Sequence, residues 1–250
     1  MGNTERFTDH AGHYAKARPS YPEALVDCLY GELGAAPASV FADIGAGTGL
    51  FSQLLLSRGS TVYAVEPNGE MAAAARLALG GFAGFHPVDG TAEQTTLPDN
   101  SVDFVTCAQS FHWFNRSLCR VEFARILRPG GLCLIIYNRM DGGASAFMGE
   151  YERIHFAMDP KRTVDARTLD ADALGDFFQP GTLQVRRFPY VHRLDGVGLL
   201  ARALSSSHAP RPGSEGYDAL KTGLERLFAA HARSGVVEFA YQTELFYGKV

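Results

Sequence analysis

The stretch from Val40 to Phe51, VFADIGAGTGLF, decides how this chain folds. An apolar run typical of a buried strand reaches the acidic residue Asp43, and glycines then stand at the alternate positions 45, 47 and 49. Glycine tolerates positive φ and lets the backbone approach a ligand closely, and a helix that follows such a loop presents free N–H groups. The stretch therefore predicts a strand, a ligand-binding loop and a helix, in that order.

Strands and helices alternate along the rest of the chain. The predicted strands cover 39–45, 61–67, 82–88, 102–110, 132–138, 182–194 and 236–248. Helices are predicted at 4–16, 21–34, 49–59, 68–79 and 117–131, with further helical stretches in 142–180, 195–205 and 214–233. Strands joined through helices form right-handed crossovers, so an α/β fold with a mostly parallel sheet covered on both faces is expected. The last strand is predicted to be antiparallel, because only a turn separates it from the helix before it.

Composition narrows the class of protein. Of the 250 residues, 46% are hydrophobic and 20% charged, an ordinary globular balance for one domain. The net charge of −4 gives no general attraction to phosphate backbones, so no nucleic-acid partner is expected. The apolar runs are too short to span a bilayer and the first residues lack a signal-peptide core, which predicts a cytoplasmic protein without a membrane partner. Four cysteines without a CxxC pair predict buried free thiols and no metal site.

The spacing of the loop separates two kinds of nucleotide ligand. A dinucleotide fingerprint, G-x-G-x-x-G, requires glycine at position 50, where this chain has Leu50. The spacing is instead acid-x-G-x-G-x-G, which favours an amino-acid-bearing adenosine. Glu66 ends the second strand about 20 residues further on, where a carboxylate accepts hydrogen bonds from ribose hydroxyls.

Several further motifs occur in a fixed order. They are YAKARPSYP (14–22), DIGAGTG (43–49), AVEPNGEM (64–71), GTAEQTTLPDNSVDFV (90–105), SFHWF (110–114) and RILRPGG (125–131). With these motifs the chain resembles the class I S-adenosylmethionine (SAM)-dependent methyltransferases, in particular the small-molecule, type 11-like group. The resemblance implies a Rossmann-like, doubly wound, seven-stranded sheet with an antiparallel last strand. It also implies SAM as cofactor and S-adenosylhomocysteine as product.

The resemblance divides the chain into one domain over 1–250. Its parts would be N-terminal lid helices (1–35), a SAM-binding core (36–140) and helical cap segments (141–180 and 195–233). The loop residues Asp43, Gly45, Ala46, Gly47 and Gly49 would line the methionine and ribose side of SAM.

The remaining cofactor contacts follow from the same resemblance. Glu66 would hold the ribose diol, Pro67 would pack near the adenine, and Gln109 would lie under the methionine moiety. Many relatives place an aspartate in the loop after strand three, to accept from the adenine amino group, whereas this chain has Thr91. The backbone of Ala92 would serve the ring nitrogen whatever its side chain.

Candidates for the acceptor side stand at the ends of strands four and five and in the N-terminal segment. His112 is a candidate general base, with a hydrogen-bonded structural role as the alternative, and Tyr14 is the second catalytic candidate. The candidate substrate residues are Arg18, Trp113, Tyr137 and Asn138. Arg18 is open to three roles: binding the SAM carboxylate, binding an acidic substrate, or a salt bridge at a helix cap.

These observations predict an enzyme that transfers a methyl group from SAM to a small organic acceptor by in-line displacement. Displacement at a sulfonium needs mainly alignment and exclusion of water, so the lack of a catalytic triad does not count against an enzyme. Two alternatives stay open: a SAM-binding regulatory protein without catalysis, and a nicotinamide-dependent oxidoreductase. The sequence leaves open the acceptor, the methylated atom and the oligomeric state.

Overall fold

The computed structural model describes residues 19–157, 170–206 and 209–250. The strands are β1 (Val40–Ile44), β2 (Thr61–Val65), β3 (Phe85–Val88), β4 (Val102–Ala108), β5 (Leu127–Met140), β6 (Gln184–Leu194) and β7 (Val237–Gly248). The helices are α1 (Glu23–Gly31), α2 (Leu50–Ser57), α3 (Gly69–Leu79), α4 (Arg116–Ile126), α5 (Ala146–Ala157), α6 (Ala171–Leu174), α7 (Gly196–Leu204) and α8 (Tyr217–His231). A short 3₁₀ turn covers Phe111–Trp113. The predicted helix at 4–16 lies outside the described residues.

The seven strands form one sheet in the order β3-β2-β1-β4-β5-β7-β6. Neighbours from β3 to β5 are parallel, and β7 is antiparallel to both β5 and β6. The prediction of a doubly wound, mostly parallel sheet with an antiparallel last strand is confirmed. Strand order reverses between β1 and β4, and ligands bind outside the carboxyl ends of the strands at such a point. We call the carboxyl ends of β1, β2, β4 and β5 the ligand edge.

Burial fixes the position of strand β1, and the conformation of Gly49 sets the direction of helix α2. Residues 41–44 of β1 are fully enclosed in the sheet, because both faces are covered by helices. Gly49 begins α2 from a left-handed conformation at φ 81°, which allows a sharp change of direction from loop to helix. Helix α2 then buries Phe51 and Leu55 against the sheet.

Helix α1 packs into the core of the sheet. Leu25 and Leu29 are fully buried there, and Tyr21 makes an edge-to-face contact with Phe51 at 5.0 Å between ring centroids. The division of the chain into lid, core and cap at the predicted boundaries stays a prediction.

Strand β5 begins five residues earlier than predicted. Helix α4 ends at Ile126, and Leu127 already pairs with Val102, whereas the next partners are Phe104 and Leu132. The four residues from 128 to 131 therefore form a bulge in the strand, with Gly130 at φ 87°. The predicted turn at RPGG is thus part of β5, because pairing with β4 extends past it.

The cap segments have an apolar cluster of their own. Helices α5, α7 and α8 pack together on the extended ends of β6 and β7. Strand β4 ends at Ala108, which pairs with Ile136 of β5. Strand β5 continues for four more residues to Met140, which pairs with Tyr241 of β7. Four residues of strand span about 13 Å, so this cap stands past the ligand edge.

Two further sequence predictions concern cysteines and membrane segments. All four cysteines are buried free thiols. Among the described residues, no group of histidines, cysteines and acids has a metal-binding arrangement, and no helix is long and apolar enough to cross a membrane. The cytoplasmic location stays a prediction.

Candidate active site at the ligand edge

The three loop glycines all have positive φ, but they serve different purposes. A Cβ on Gly45 would lie 2.7 Å from Cβ of Ser110, and one on Gly49 would overlap the side chain of Leu79. A Cβ on Gly47, at φ 59°, would meet nothing within 4 Å. Gly45 and Gly49 therefore permit close packing of the loop, whereas Gly47 borders open space at the ligand edge.

The carboxylate of Glu66 connects two turns of the ligand edge. Its Oε2 accepts the N–H of Gly47 at 2.8 Å, and its Oε1 accepts the N–H of Asn68 at 2.9 Å. Burial raises the pKa of Glu66, while these two N–H donors act in the opposite direction. Each carboxylate oxygen has a further lone pair, so this half-buried group still accepts hydrogen bonds from vicinal hydroxyls.

The side chain of Asn68 fixes the turn beside Glu66. Its Oδ1 accepts the N–H groups of Glu70 and Met71 at 3.1 and 3.0 Å, and so caps helix α3. Pro67, the predicted adenine neighbour, is exposed between Glu66 and this cap.

The carboxylate of Asp43 is buried and makes its hydrogen bonds inside the protein core. Its Oδ2 accepts the hydroxyl of Ser52 at 2.6 Å and its Oδ1 accepts that of Thr106 at 3.0 Å, and the side chain is 1% exposed. Burial raises the pKa of Asp43 to about 6, although both hydroxyls oppose the shift. The carboxylate thus links β1, α2 and β4 beneath the loop, and its predicted contact with SAM stays a prediction.

The turn after β4 is held from both sides. Gln109 has φ 60°, an uncommon conformation for a residue other than glycine, and donates its N–H to the carbonyl of Ile136 at 2.9 Å. The hydroxyl of Ser110 donates to the carbonyl of Ile44 at 2.6 Å. Ser110 begins the SFHWF motif, but the sequence pattern assigns it no role; in the structure it joins the β4 turn to the end of β1, directly before the glycine loop.

The loop after β3 presents the predicted adenine contacts. Thr91 is exposed, and its hydroxyl accepts the N–H of Gln94 at 3.2 Å, which forms a local turn. The side chain of Ala92 is buried in the core. The predicted roles of Thr91 and Ala92 toward adenine stay predictions.

His112 and Tyr137 form a pair across the ends of β4 and β5. The hydroxyl of Tyr137 accepts the backbone N–H of His112 at 3.0 Å and lies 3.1 Å from Nδ1 of its ring. Burial raises the pKa of Tyr137, so the phenol stays protonated. The ring of Trp113 is 4.7 Å from that of His112, centroid to centroid. Three residues predicted for the acceptor side are thereby in contact.

The amide of Asn138, predicted to bind substrate, ties three segments together. Its Nδ2 donates to the carbonyl of Ser20 at 3.0 Å, and its Oδ1 accepts the hydroxyl of Thr243 at 2.6 Å. Its backbone carbonyl accepts from Nε2 of Gln109 at 3.2 Å. Sequence reasoning missed Thr243, because only the pairing of β5 with β7 brings it here. Tyr14 and Arg18 lie outside the described residues.

A family model matches the part of the chain that carries the ends of β1, β2 and β4. Residues 42–135 match the model of the methyltransferase domain. This part of the chain is similar to the methyltransferase domains that the model describes. The loop after β1, Glu66 and the 3₁₀ turn with His112 all lie within the matched residues.

Proteins similar to this chain occur among both sequences and solved structures. An uncharacterised methyltransferase of Mycobacterium tuberculosis is 42% identical over 135 residues, which cover 54% of this chain and 53% of that protein. The chain thus spans about half the length of the curated relatives it matches.

Two solved structures share the fold. One, of an Anaeromyxobacter dehalogenans protein assigned as a type II methyltransferase, has a TM-score of 0.70 at 22% identity, over 93% of this chain and 97% of its own. The other, of an Anabaena variabilis protein assigned as a methyltransferase from an antibiotic biosynthesis pathway, has a TM-score of 0.63 at 23% identity, over 94% and 100%. At these identities the likeness concerns the fold.

The residues of the ligand edge fit SAM. The ribose of SAM carries a vicinal diol, which matches the remaining acceptor capacity of the Glu66 carboxylate. Open space beside Gly47 leaves room for a ligand at backbone distance, next to the start of helix α2.

Proposed function

We propose that this protein is a SAM-dependent methyltransferase (EC 2.1.1) that methylates a small organic acceptor by in-line displacement. The observation that carries the proposal is the Glu66 carboxylate, held by the N–H groups of Gly47 and Asn68 beside open space. A strand-end acid that served only solubility would not be held by two backbone donors from two turns. SAM supplies a methyl group already activated by its sulfonium.

The residues of the chain then have to bind, align and exclude water. Glu66 accepts the ribose hydroxyls, and the loop from Gly45 to Gly49 lies along the ribose and methionine. Ser110 and Gln109 hold the β4 turn at a defined distance from that loop. Alignment of this kind is a large contribution to a displacement reaction, because it replaces a bimolecular encounter by a fixed geometry.

On the acceptor side, we propose His112 as the general base and Tyr137 as the residue that positions it. When Nε2 accepts a proton, the proton on Nδ1 is donated to the hydroxyl of Tyr137, which lies 3.1 Å away. The backbone N–H of His112 on the same oxygen holds the ring and the phenol in one orientation. Histidine is the side chain most often used as a general base, and an acceptor that is protonated at neutral pH requires such a base.

The first experiment is calorimetry and thermal denaturation with SAM, S-adenosylhomocysteine, NAD and NADP. Binding to the folded state raises the melting temperature by mass action, so both adenosyl compounds should stabilise the protein. Stabilisation by NAD or NADP with no effect of SAM would show an oxidoreductase-type site. Release of S-adenosylhomocysteine during incubation with a metabolite mixture separates an enzyme from a SAM-binding regulatory protein.

A further inference from the structure

Past the ligand edge, the cap contains a group of polar side chains surrounded by apolar ones. It consists of Tyr151 on α5, His192 on β6, Arg202 on α7 and Tyr241 on β7, and we call it the cap polar cluster. Tyr151 is 1% exposed. In the described part of the chain, the hydroxyl of Tyr151 and Nδ1 of His192 are buried without a hydrogen-bond partner. Buried polar atoms are nearly always hydrogen-bonded, so two such atoms in one cluster require an explanation.

The cluster is arranged around the ring of Phe239. The ring of Tyr151 lies 4.6 Å from it and that of Tyr241 lies 5.3 Å from it, centroid to centroid. The guanidinium of Arg202 lies 5.6 Å from the centroid of the same ring. His192 on β6 is the residue that pairs with Phe239 on β7. All four members of the cluster therefore neighbour one phenylalanine.

The charge of Arg202 acts on the whole cluster. Its Nε donates to the hydroxyl of Tyr241 at 2.8 Å. Burial raises the pKa of Tyr151 to about 12 and Arg202 opposes that shift, while burial and Arg202 both lower the pKa of His192. The two partnerless atoms are thus near a cation. The raised pKa of Tyr151 favours a protonated phenol, and the lowered pKa of His192 favours a neutral imidazole.

Along the strands, Tyr241 lies between the ligand edge and His192, whose partner Phe239 is two residues further from the level of Asn138. Tyr241 pairs with Met140, which follows Asn138 by two residues on β5 and shares its face of the sheet. Two residues of strand span about 7 Å, so the level of Tyr241 is about 7 Å and that of His192 about 13 Å from Asn138, a distance that an extended small molecule covers. Tyr190, the partner of Tyr241 on β6, lies beside the backbone of Ser20, which also accepts from Asn138.

We propose that the cap polar cluster binds a carboxylate of the methyl acceptor. Two neutral donors, the phenol of Tyr151 and an Nδ1–H of His192, beside a guanidinium form a set that hydrogen-bonds a carboxylate and compensates its charge. The inference rests on the proposed function in one respect, that the bound carboxylate belongs to the methyl acceptor. The carboxylate-binding site itself can be tested separately.

The test compares carboxylates with their amides. Binding of acetate, benzoate and succinate, and of acetamide, benzamide and succinamide, is measured by ligand-observed NMR, with and without saturating S-adenosylhomocysteine. At least one carboxylate should bind, and its amide should bind more weakly. Loss of one hydrogen bond to a charged ligand group should weaken binding about tenfold or more in Tyr151→Phe and in His192→Phe.

A matched control is Tyr63→Phe, which removes a hydroxyl from β2, away from the cap, and should leave carboxylate binding unchanged. The melting temperature of the ligand-free Tyr151→Phe protein should not fall, since its hydroxyl has no partner among the described residues. The proposal is overturned if no carboxylate binds, if the amides bind equally well, or if both cluster variants bind like the wild type. Failure of S-adenosylhomocysteine to bind, with carboxylate binding intact, would reject the proposed function and retain the carboxylate site.

Discussion

Glu66 accepts the backbone N–H of Gly47 at 2.8 Å, and this contact joins the loop after β1 to the end of β2. The two residues are 19 positions apart in the chain. A ligand that occupies the open space beside Gly47 therefore meets a carboxylate whose orientation is already set. Pre-set orientation lowers the cost of ordering the side chain on binding.

Replacing Glu66 by Gln should weaken SAM binding by about 1.5–3 kcal/mol, because a charged hydrogen-bond acceptor is lost. Isothermal titration calorimetry measures the change, with Glu70→Gln, an exposed acid on α3, as the matched control. Thr91→Ala should cost less, since its hydroxyl is neutral. A larger loss for Thr91→Ala than for Glu66→Gln would reverse the assignment of the ribose and adenine contacts.

Among the glycines, Gly47→Ala should reduce SAM binding more than it reduces stability. Its added methyl group enters open space, so the folded protein carries only the strain of a positive φ, on the order of 1–2 kcal/mol. Gly45→Ala carries a similar strain and an additional clash with Ser110, so its melting temperature should fall further. Denaturation and calorimetry on both variants check the contrast. Wild-type SAM affinity in Gly47→Ala would mean that no ligand lies there.

The contact between His112 and Tyr137 leads to a kinetic prediction. Once an acceptor is found, His112→Gln should lower the methyl-transfer rate on the order of 10²–10⁴-fold with little change in SAM affinity. Tyr137→Phe should lower kcat less and shift the ionisation seen in the pH–rate profile, because the partner of Nδ1 is lost. Should His112→Gln lose stability but keep the wild-type pH profile, the histidine would be structural.

Asp43 should give stability an identifiable dependence on pH. Its pKa rises from the ordinary value of 3.8 to about 6 in the folded protein, so the folded state binds the proton more tightly. The resulting stabilisation is complete below pH 3.8 and is lost as the pH rises through about 6.

The measurement is the free energy of unfolding of the wild type and of Asp43→Asn between about pH 4 and 7. Relative to the wild type, the variant should become more stable as the pH rises across this range, because it lacks the buried ionisation. Asp176→Asn, at an exposed position, is the control. Parallel pH profiles for the wild type and Asp43→Asn would mean that Asp43 does not titrate in this range.

The sequence by itself determined the class of fold and the place of the ligand edge. Alternating strands and helices favour a parallel sheet, and an acid followed by spaced glycines predicts the turn at its ligand edge; that this turn contacts SAM stays a prediction. These features are local, since hydrophobic periodicity, glycine and strand-end acids act within a few residues. The place of Glu66 at the end of the second strand was predicted from the same kind of local pattern, and its contact with the ribose stays a prediction.

Tertiary structure alone decided which neighbours these residues have. In the folded chain, Asp43 accepts hydrogen bonds from Ser52 and Thr106, and Tyr137 contacts His112, 25 positions away. Tertiary structure also placed the hydroxyl of Thr243, 105 positions away, in a hydrogen bond with Asn138, whose predicted substrate contact stays a prediction. Such pairs depend on strand register and on the packing of the cap, which no local pattern encodes, because each is fixed only when distant segments are buried together.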